Sequence, residues 1–203
     1  MTSLAKHLVV FLKAPHMGRV KTRLAHDIGH VKACALYRTM TASILNRFGR
    51  DPRCKTWQRW IAITPDRETL PRNLCSSNWQ GISQGSGDLG ARMDRVMHCL
   101  PPGPAVIIGS DIPGIKPHHI NQAFKRLGSD DAVFGPAIDG GYWLVGLKRR
   151  PVVPEVFDNV RWSSEHALAD TLVNFRAGQH IALLEELEDI DDGAAYRRWR
   201  EEA

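Results

Sequence analysis

At 203 residues with 43% apolar side chains, the chain is long enough to bury a sizeable core, and its composition excludes disordered and fibrous classes. Its 27 Lys and Arg exceed 22 Asp and Glu, and the net charge of +5 favours anionic partners. The sequence has no dense basic helix and no RNA-recognition or zinc-finger pattern, so phosphorylated small molecules are favoured over nucleic acid. Cys34, Cys54, Cys75 and Cys99 lack CxxC spacing, which argues against structural zinc and against a secreted disulfide framework. The apolar run 8–12 is too short for a signal segment, and no stretch approaches the roughly 20 apolar residues that span a bilayer. A cytoplasmic protein without membrane contact is expected.

Strand and helix patterns alternate along the chain, which predicts an α/β domain with a mostly parallel sheet. Residues 8–12 read as the first strand. Residues 32–48 carry Ala35, Leu36, Met40, Ile44, Leu45 and Phe48 at helical spacing. A strand is predicted over 57–63 and a short helix over 66–74, limited by Pro71. Residues 88–99 form a helical pattern with a cap at Asp88, and 105–109 a buried strand. Pro117 suits the first turn of a helix over 117–127. Strands are predicted over 131–134, 141–147 and 180–184, and helices over 164–175 and 192–199. The whole chain, 1–203, reads as a single domain.

Within this frame six segments carry candidate chemistry. The apolar run AVIIG ends abruptly in Ser110 and Asp111, and Pro113 and Gly114 break its continuation. Ligands of open α/β sheets bind at such strand ends, and a carboxylate there can hold a hard divalent cation. The loop KAPHMGRVKTRL follows the first strand and bears Lys13, Arg19, Lys21 and Arg23 around a turn shaped by Pro15 and Gly18, cations that could converge on a phosphate chain. Its Lys21-Thr22 pair is not a Walker A loop, because that pattern would need glycines at Pro15 and Val20. In QGSGDLGARM, Gly85, Gly87 and Gly90 allow close backbone approach, and Arg92 lies one helical turn from Asp88. Asp139-Gly140-Gly141 is a turn leading into YWLVGL, whose Tyr142 and Trp143 should face opposite sides of a strand. In EDIDD, Asp189 and Asp191 alternate and could face one side, while Asp191 or Asp192 could cap the last helix. Ser163 or Ser164 should cap the helix that follows them, with an anion at its open N-terminus as the second reading, and His118 and His119 read as surface residues.

As a set, FLKAPHMGRVKTRL, GDLGARM, IGSDIPG, GPAIDGGYWLVGL, VRWSSEHAL and LEELEDIDD resemble the DUF2064 group of GT-A-fold transferases. That group is also labelled radical-SAM/selenodomain-associated transferase 1 and is related to phospholactate guanylyltransferases. The resemblance runs from residue 11 to residue 192. It implies a GT-A, nucleotide-diphospho-sugar-transferase fold of three αβα layers. It also implies Mg2+ or Mn2+ on Asp111 with Asp191 and Asp189, and Lys21 and Arg23 as catalytic cations on the phosphate chain. Lys13, Gly18, Arg19, Gly87 and Arg92 would bind the nucleotide, and Asp139, Gly140 and Gly141 the acceptor. The first loop departs from the glycine-rich AGxGxR pattern of typical nucleotidyltransferases, and the late segment reads DIDDGAAY where DVDTPEDL is common. The expected reaction is nucleotidyl transfer from a nucleoside triphosphate to a small phosphorylated or carboxylate acceptor. Glycosyl transfer from a nucleotide sugar is the alternative, followed by a non-catalytic nucleotide-binding role in a pathway. A homodimer is among the assemblies the resemblance allows.

Overall fold

The computed structural model describes residues 4–50, 56–70, 74 and 78–202. Its elements in chain order are β1 (Lys6–Lys13), α1 (Thr22–Ile28), α2 (His30–Arg50), β2 (Trp57–Thr64), β3 (Gln80–Ser83), α3 (Leu89–Cys99) and β4 (Ala105–Gly109). There follow α4 (Pro117–Arg126), β5 (Ala132–Pro136), β6 (Tyr142–Leu147), α5 (Ala167–Val173), β7 (Ile181–Leu183) and α6 (Gly193–Glu202). The strands form one sheet in the order β3-β2-β1-β4-β6-β5-β7. All neighbours are parallel except β6, which runs antiparallel to both β4 and β5. The Asp-Gly-Gly turn causes that reversal: a tight hairpin can only return the chain antiparallel.

Side-chain alternation sets the three layers. Leu8, Val10 and Leu12 of β1 and Val106 and Ile108 of β4 face α2 and α4, where Ile44, Phe48, Ile120 and Phe124 meet them. Val9, Ala105 and Ile107 point to the other face, against Met93, Val96 and Met97 of α3 and Leu168 and Leu172 of α5. Each such fully buried aliphatic side chain contributes about 1.5–3 kcal/mol relative to exposure. Tyr142 and Trp143 lie on opposite faces, as their adjacency on a strand requires. A third cluster, Leu24, Ala25, Ala33, Met40 and Ile190, packs α1 and α2 against the segment before α6. Among the described residues no helix is long and apolar enough to cross a membrane.

Several local expectations need correction. Residues 66–70 form a turn and coil rather than the start of a helix, and 71–73 lie outside the described residues. Asp66 is used instead to hold the next loop, accepting from Gln84 N at 2.8 Å and from Gly85 N at 3.0 Å. Helix α5 begins at Ala167, three residues beyond the predicted start, because Ser164 Oγ turns back to the Arg161 carbonyl at 2.6 Å. Ser164 Oγ accepts from His166 N at 3.3 Å and so closes a turn, while the helix N-cap is His166 without a side-chain bond. Helix α1 and strand β3 were not expected. One is a seven-residue helix lacking a side-chain cap, and the other a largely exposed four-residue strand, so neither announces itself by capping or alternation. The caps at Asp88 and Asp192 do form, accepting from Ala91 N and Ala195 N, each at 2.8 Å. Cys34 and Cys99 are free thiols, whereas Cys54 and Cys75 lie outside the described residues.

Candidate active site

The carboxyl ends of β1 and β4 lie side by side, so the first loop and the Ser110-Asp111 step open onto one place. Tyr37 of α2 stitches the two ends together. Its buried hydroxyl accepts from Lys13 N at 2.9 Å and lies 3.2 Å from Ser110 Oγ. Burial holds the Tyr37 phenol above its ordinary range, so it stays a neutral hydrogen-bonding group.

Lys21 is the centre of the constellation. It stands at the N-cap of α1 in the left-handed region, with φ 48° and ψ 47°, a conformation that costs a non-glycine residue of order 1–3 kcal/mol. That backbone turn drives the side chain inward until only 3% of it is exposed. Its Nζ donates to Asp111 Oδ2 at 2.9 Å and to Asp191 Oδ1 at 3.4 Å. Burial opposes the charge on Lys21, but Asp111, Asp191 and Asp189 together outweigh it and hold the ammonium above its usual range. Arg23 Nη1 reaches Asp191 Oδ2 at 3.2 Å from the exposed side.

The late segment is brought here by packing. Gly193 N donates to Asp27 Oδ2 of α1 at 2.8 Å, and Ile190 N lies 3.5 Å from the Asp111 carbonyl. Ile190 buries itself in the α1–α2 cluster. In extended chain its two neighbours then point the other way, toward Asp111. Asp189 is half-buried, and its carboxyl is pushed up to about 6 by burial, with further upward pressure from Asp111, Asp139 and Asp191 against the pull of Lys21. Asp111, Asp139 and Asp191 all act electrostatically on Asp189, and Lys21 supplies the nearest compensation. Carboxylate oxygens are the donor class a divalent cation takes, and Asp111 and Asp191, both held by Lys21, are the pair of this site that would hold one.

Two cavities meet across Asp111. The first, about 480 Å³, is lined by Lys13, Arg19, Lys21, Arg23 and Arg92 together with Gln84, Tyr37 and Asp191. The second, about 180 Å³, is walled by Tyr142, Trp143, Trp162 and Ile112 and carries Asp139, Asp189 and Ser164. Leu89, Gly109, Asp111 and Ser163 border both. Gln84 is fixed by its amide, which donates to the Leu12 carbonyl at 3.2 Å and to that of Ala62, and its oxygen accepts from Arg92 Nη1 at 3.1 Å.

The predicted residues thus fall into groups. Lys13, Arg19, Lys21, Arg23, Arg92 and Asp191 come together in the first cavity, Asp139, Gly141 and Asp189 in the second, and Asp111 at the junction. Gly18, Gly87 and Gly140 line neither, and each has another place in the fold. A Cβ on Gly87 would stand 2.9 Å from that of Ala91, and one on Gly140 would stand 2.2 Å from the Glu165 carbonyl oxygen. Gly18 is a left-handed turn residue, φ 75°, in open space. Gly85 and Gly90 likewise serve packing, since a Cβ there would meet the Arg95 guanidinium and the Trp162 ring. Tyr37 and Gln84 border the first cavity without having been singled out, and only a tertiary contact could single them out, whereas Trp162 and Ser163 belong to the segment read first as a helix cap and second as an anion site.

One further cluster corrects the surface reading of His119, whereas His118 is exposed as expected. His119 is buried, and with His118 and Glu185 its ligand-type atoms lie within 4.8 Å of one another. Its Nδ1 accepts from Lys116 N at 3.0 Å, and burial keeps the ring below its usual pKa. A neutral ring accepting at Nδ1 carries its proton on Nε2, which faces Glu185. The cluster is a tie between α4 and the chain after β7, reinforced by Trp143 Nε1 donating to the Glu185 carbonyl at 3.2 Å.

Comparison with known proteins places this architecture. The family model described as an uncharacterized protein conserved in bacteria, DUF2064, matches residues 50–164. No curated protein matches the chain. A solved structure from Desulfovibrio desulfuricans G20, described as that of a candidate nucleotide-diphospho-sugar transferase, is 30% identical with a TM-score of 0.83, covering 93% of this chain and 84% of that one. CMP:2-keto-3-deoxy-manno-octonic acid synthetase, solved with CTP, superposes with a TM-score of 0.57 at 14% identity, covering 98% of each chain. Glucosyl-3-phosphoglycerate synthase from Mycobacterium tuberculosis, solved with Mn2+, UDP and glucosyl-3-phosphoglycerate, gives 0.56 at 11%, covering 90% of this chain and 70% of that one. The last two likenesses are of fold alone. Together they identify the GT-A-like, three-layer architecture expected from the motifs.

Proposed function

The chain belongs to the DUF2064 family, and from that premise we propose that it is a divalent-metal-dependent transferase that uses a nucleoside triphosphate. The observation that carries this reading is Lys21, buried in a strained backbone and bridging Asp111 and Asp191 at the mouth of a cation-lined cavity. The nucleotide-diphospho-sugar transferase description of the 30% identical structure, and the nucleotides bound by the more distant ones, support the same class.

In this reading the first cavity takes the nucleotide with its phosphate chain toward Asp111. Lys13, Arg19, Arg23 and Arg92 present positive charge along the wall and offset that of the phosphates. Asp111 and Asp191, with Asp189, would hold Mg2+ or Mn2+, which when bound supplies charge neutralisation and polarises the phosphoryl oxygens. Lys21 keeps the two main carboxylates at one place and stands ready to stabilise negative charge as it builds on the leaving phosphates. An acceptor oxygen, held in the second cavity, attacks the α-phosphorus. The new phosphorus–oxygen bond forms as the bond to the β-phosphate breaks, and pyrophosphate leaves. A second reading, glycosyl transfer from a nucleotide sugar, is favoured by the aromatic-walled second cavity that opens from the first across Asp111.

Thermal shift with GTP, CTP, UTP, ATP and common nucleotide sugars, with and without Mg2+ or Mn2+, tests the proposal. A ligand at a hundred times its dissociation constant adds about 2.7 kcal/mol. A metal-dependent shift with one triphosphate, abolished in Asp111→Ala, is expected. Release of pyrophosphate then marks nucleotidyl transfer, and release of a nucleoside diphosphate or monophosphate from a nucleotide sugar marks glycosyl transfer. No shift with any nucleotide would overturn the reading.

A further inference from the structure

Gly135 and Gly146 stand inside strands because neighbours occupy the place of a side chain. A Cβ on Gly135 would lie 2.3 Å from the Trp143 ring, and one on Gly146 2.6 Å from the Val133 side chain. Gly109, the last residue of β4, is different. Beyond its chain neighbours, a Cβ on it would have only Asp111 Oδ1 within 4 Å, at 3.0 Å. By strand alternation its missing side chain would point with that of Ile107 toward α3. Interfaces between sheet and helix are close-packed as a rule, and here one position is left unfilled.

The space is a third cavity, about 110 Å³, lined by Phe11 of β1, Ile107 of β4, Val145 of β6 and Leu89 and Met93 of α3. Gly109 and Leu89 border all three cavities, and Tyr142 borders the second and third. The third cavity is therefore an inward extension of the ligand site. The indole N–H of Trp143 and the hydroxyl of Tyr142 also border it, but both are turned elsewhere. Trp143 Nε1 donates to the Glu185 carbonyl at 3.2 Å, and the Tyr142 hydroxyl faces Thr171 of α5. The strands beneath are paired with one another in the sheet. A buried water needs about two to four polar partners, which such a lining does not offer. An apolar group gains on entry, because it meets apolar atoms without displacing well-bound water.

We propose that the third cavity is a subsite for an apolar group, and that the acceptor taken by the second cavity is amphiphilic. Its oxygen-bearing end lies at Asp111, and a branched alkyl or single-ring aryl group of about four to six carbons passes Leu89 and Gly109 to lie under α3. The inference rests on the transferase reading for the purpose of the subsite, but occupation of the subsite can be measured apart from it.

Methyl NMR of protein labelled at the methionine methyl groups reports on the cavity through Met93, whose signal is assigned with Met93→Leu. Met17 is exposed and Met40 is buried in the cluster of α1 and α2, so both serve as internal controls. The probes are 3-methylbutan-1-ol and benzyl alcohol, with ethanol for comparison. Each titration is run without nucleotide and again with the nucleotide that thermal shift selects. Each buried CH2 should multiply affinity by about fourfold, so the two larger alcohols should move Met93 saturably and bind at least about tenfold more tightly than ethanol. Val145→Phe, which fills the space from β6, should abolish the response while the Met40 signal stays in place. If that variant does not fold, Gly109→Ala decides, since its added methyl stands in the mouth and should weaken both larger alcohols by about threefold or more. No saturable Met93 shift at tens of millimolar, an equal response to ethanol, or a response that survives in the folded filled variant overturns the proposal. If the alcohols bind but no nucleotide does, the transferase reading has failed while the subsite stands. If a nucleotide binds and neither larger alcohol moves Met93, only this inference has failed.

Discussion

Asp189 concentrates the electrostatic cost of the site. Its carboxyl is pushed up to about 6 by burial and by its acidic neighbours, so the folded state favours the protonated form. Stability from that protonation is fully present below the ordinary carboxylate range and is lost as pH rises through about 6. In the metal-free protein, Asp189→Asn should therefore be more stable than the parent at neutral and alkaline pH. The advantage should disappear as both are taken below pH about 4. The group is part exposed and solvent screens the effect, so a Tm gain of about 2–4 °C near neutrality is expected. Thermal melts across pH in the presence of a chelator measure it, and equal melting temperatures at pH about 8 would contradict the placement of Asp189 among the other carboxylates. Lys21 shows the complementary case, an ammonium kept charged in a buried position because Asp111 and Asp191 are there to meet it.

At the scale of elements, α3 and the segment before α5 lean on one glycine. A Cβ on Gly90 would stand 2.6 Å from the Trp162 ring and 2.8 Å from the Phe157 carbonyl oxygen. Gly90→Ala must displace Trp162, which walls the second cavity, while the Lys21–Asp111 pair and the first loop are built on other elements. The KM for the acceptor should rise about tenfold or more, with nucleotide affinity changed by less than about threefold. Steady-state kinetics beside nucleotide binding separate the two, and an equal loss in both would mean that α3 moves as a whole. The segment AVIIGSD was readable as a strand delivering a carboxylate because its burial pattern and its ending are both local. Helix α5 was misplaced at its start because Ser164 has a choice between capping a helix and closing a turn, and its bond to the Arg161 carbonyl decides for the turn.

Over the whole molecule, the site stands on the most deeply buried part of the sheet. β1 and β4 pair at its centre, with Leu8, Val9, Val10, Val106 and Ile108 essentially inaccessible, while β3 at one edge is largely exposed. Hydrogen exchange should follow that gradient, with the amides of 8–11 and 105–108 slowest and those of 80–83 among the first strand amides to exchange. Fast exchange in β1 would show that the floor of the site opens independently of the rest of the fold.

The alternating pattern of strands and helices, the caps at Asp88 and Asp192, the hairpin at Asp139-Gly140 and the carboxylate at the end of β4 were all determined by the sequence. Each depends on side-chain spacing or backbone preference within a few residues. The motifs of the first loop and of the late segment also named Lys21 and Asp191 as candidates. That these two meet across 170 positions was decided only by tertiary structure. Ile190 had to bury against α1 and α2, and Gly193 had to reach Asp27, before Asp191 could face Lys21. The division of the site into a cation-lined cavity and one that, among the described residues, has no Lys or Arg in its lining is tertiary for the same reason. Charge at one point in space sums over segments far apart in the chain, and no local pattern records that sum.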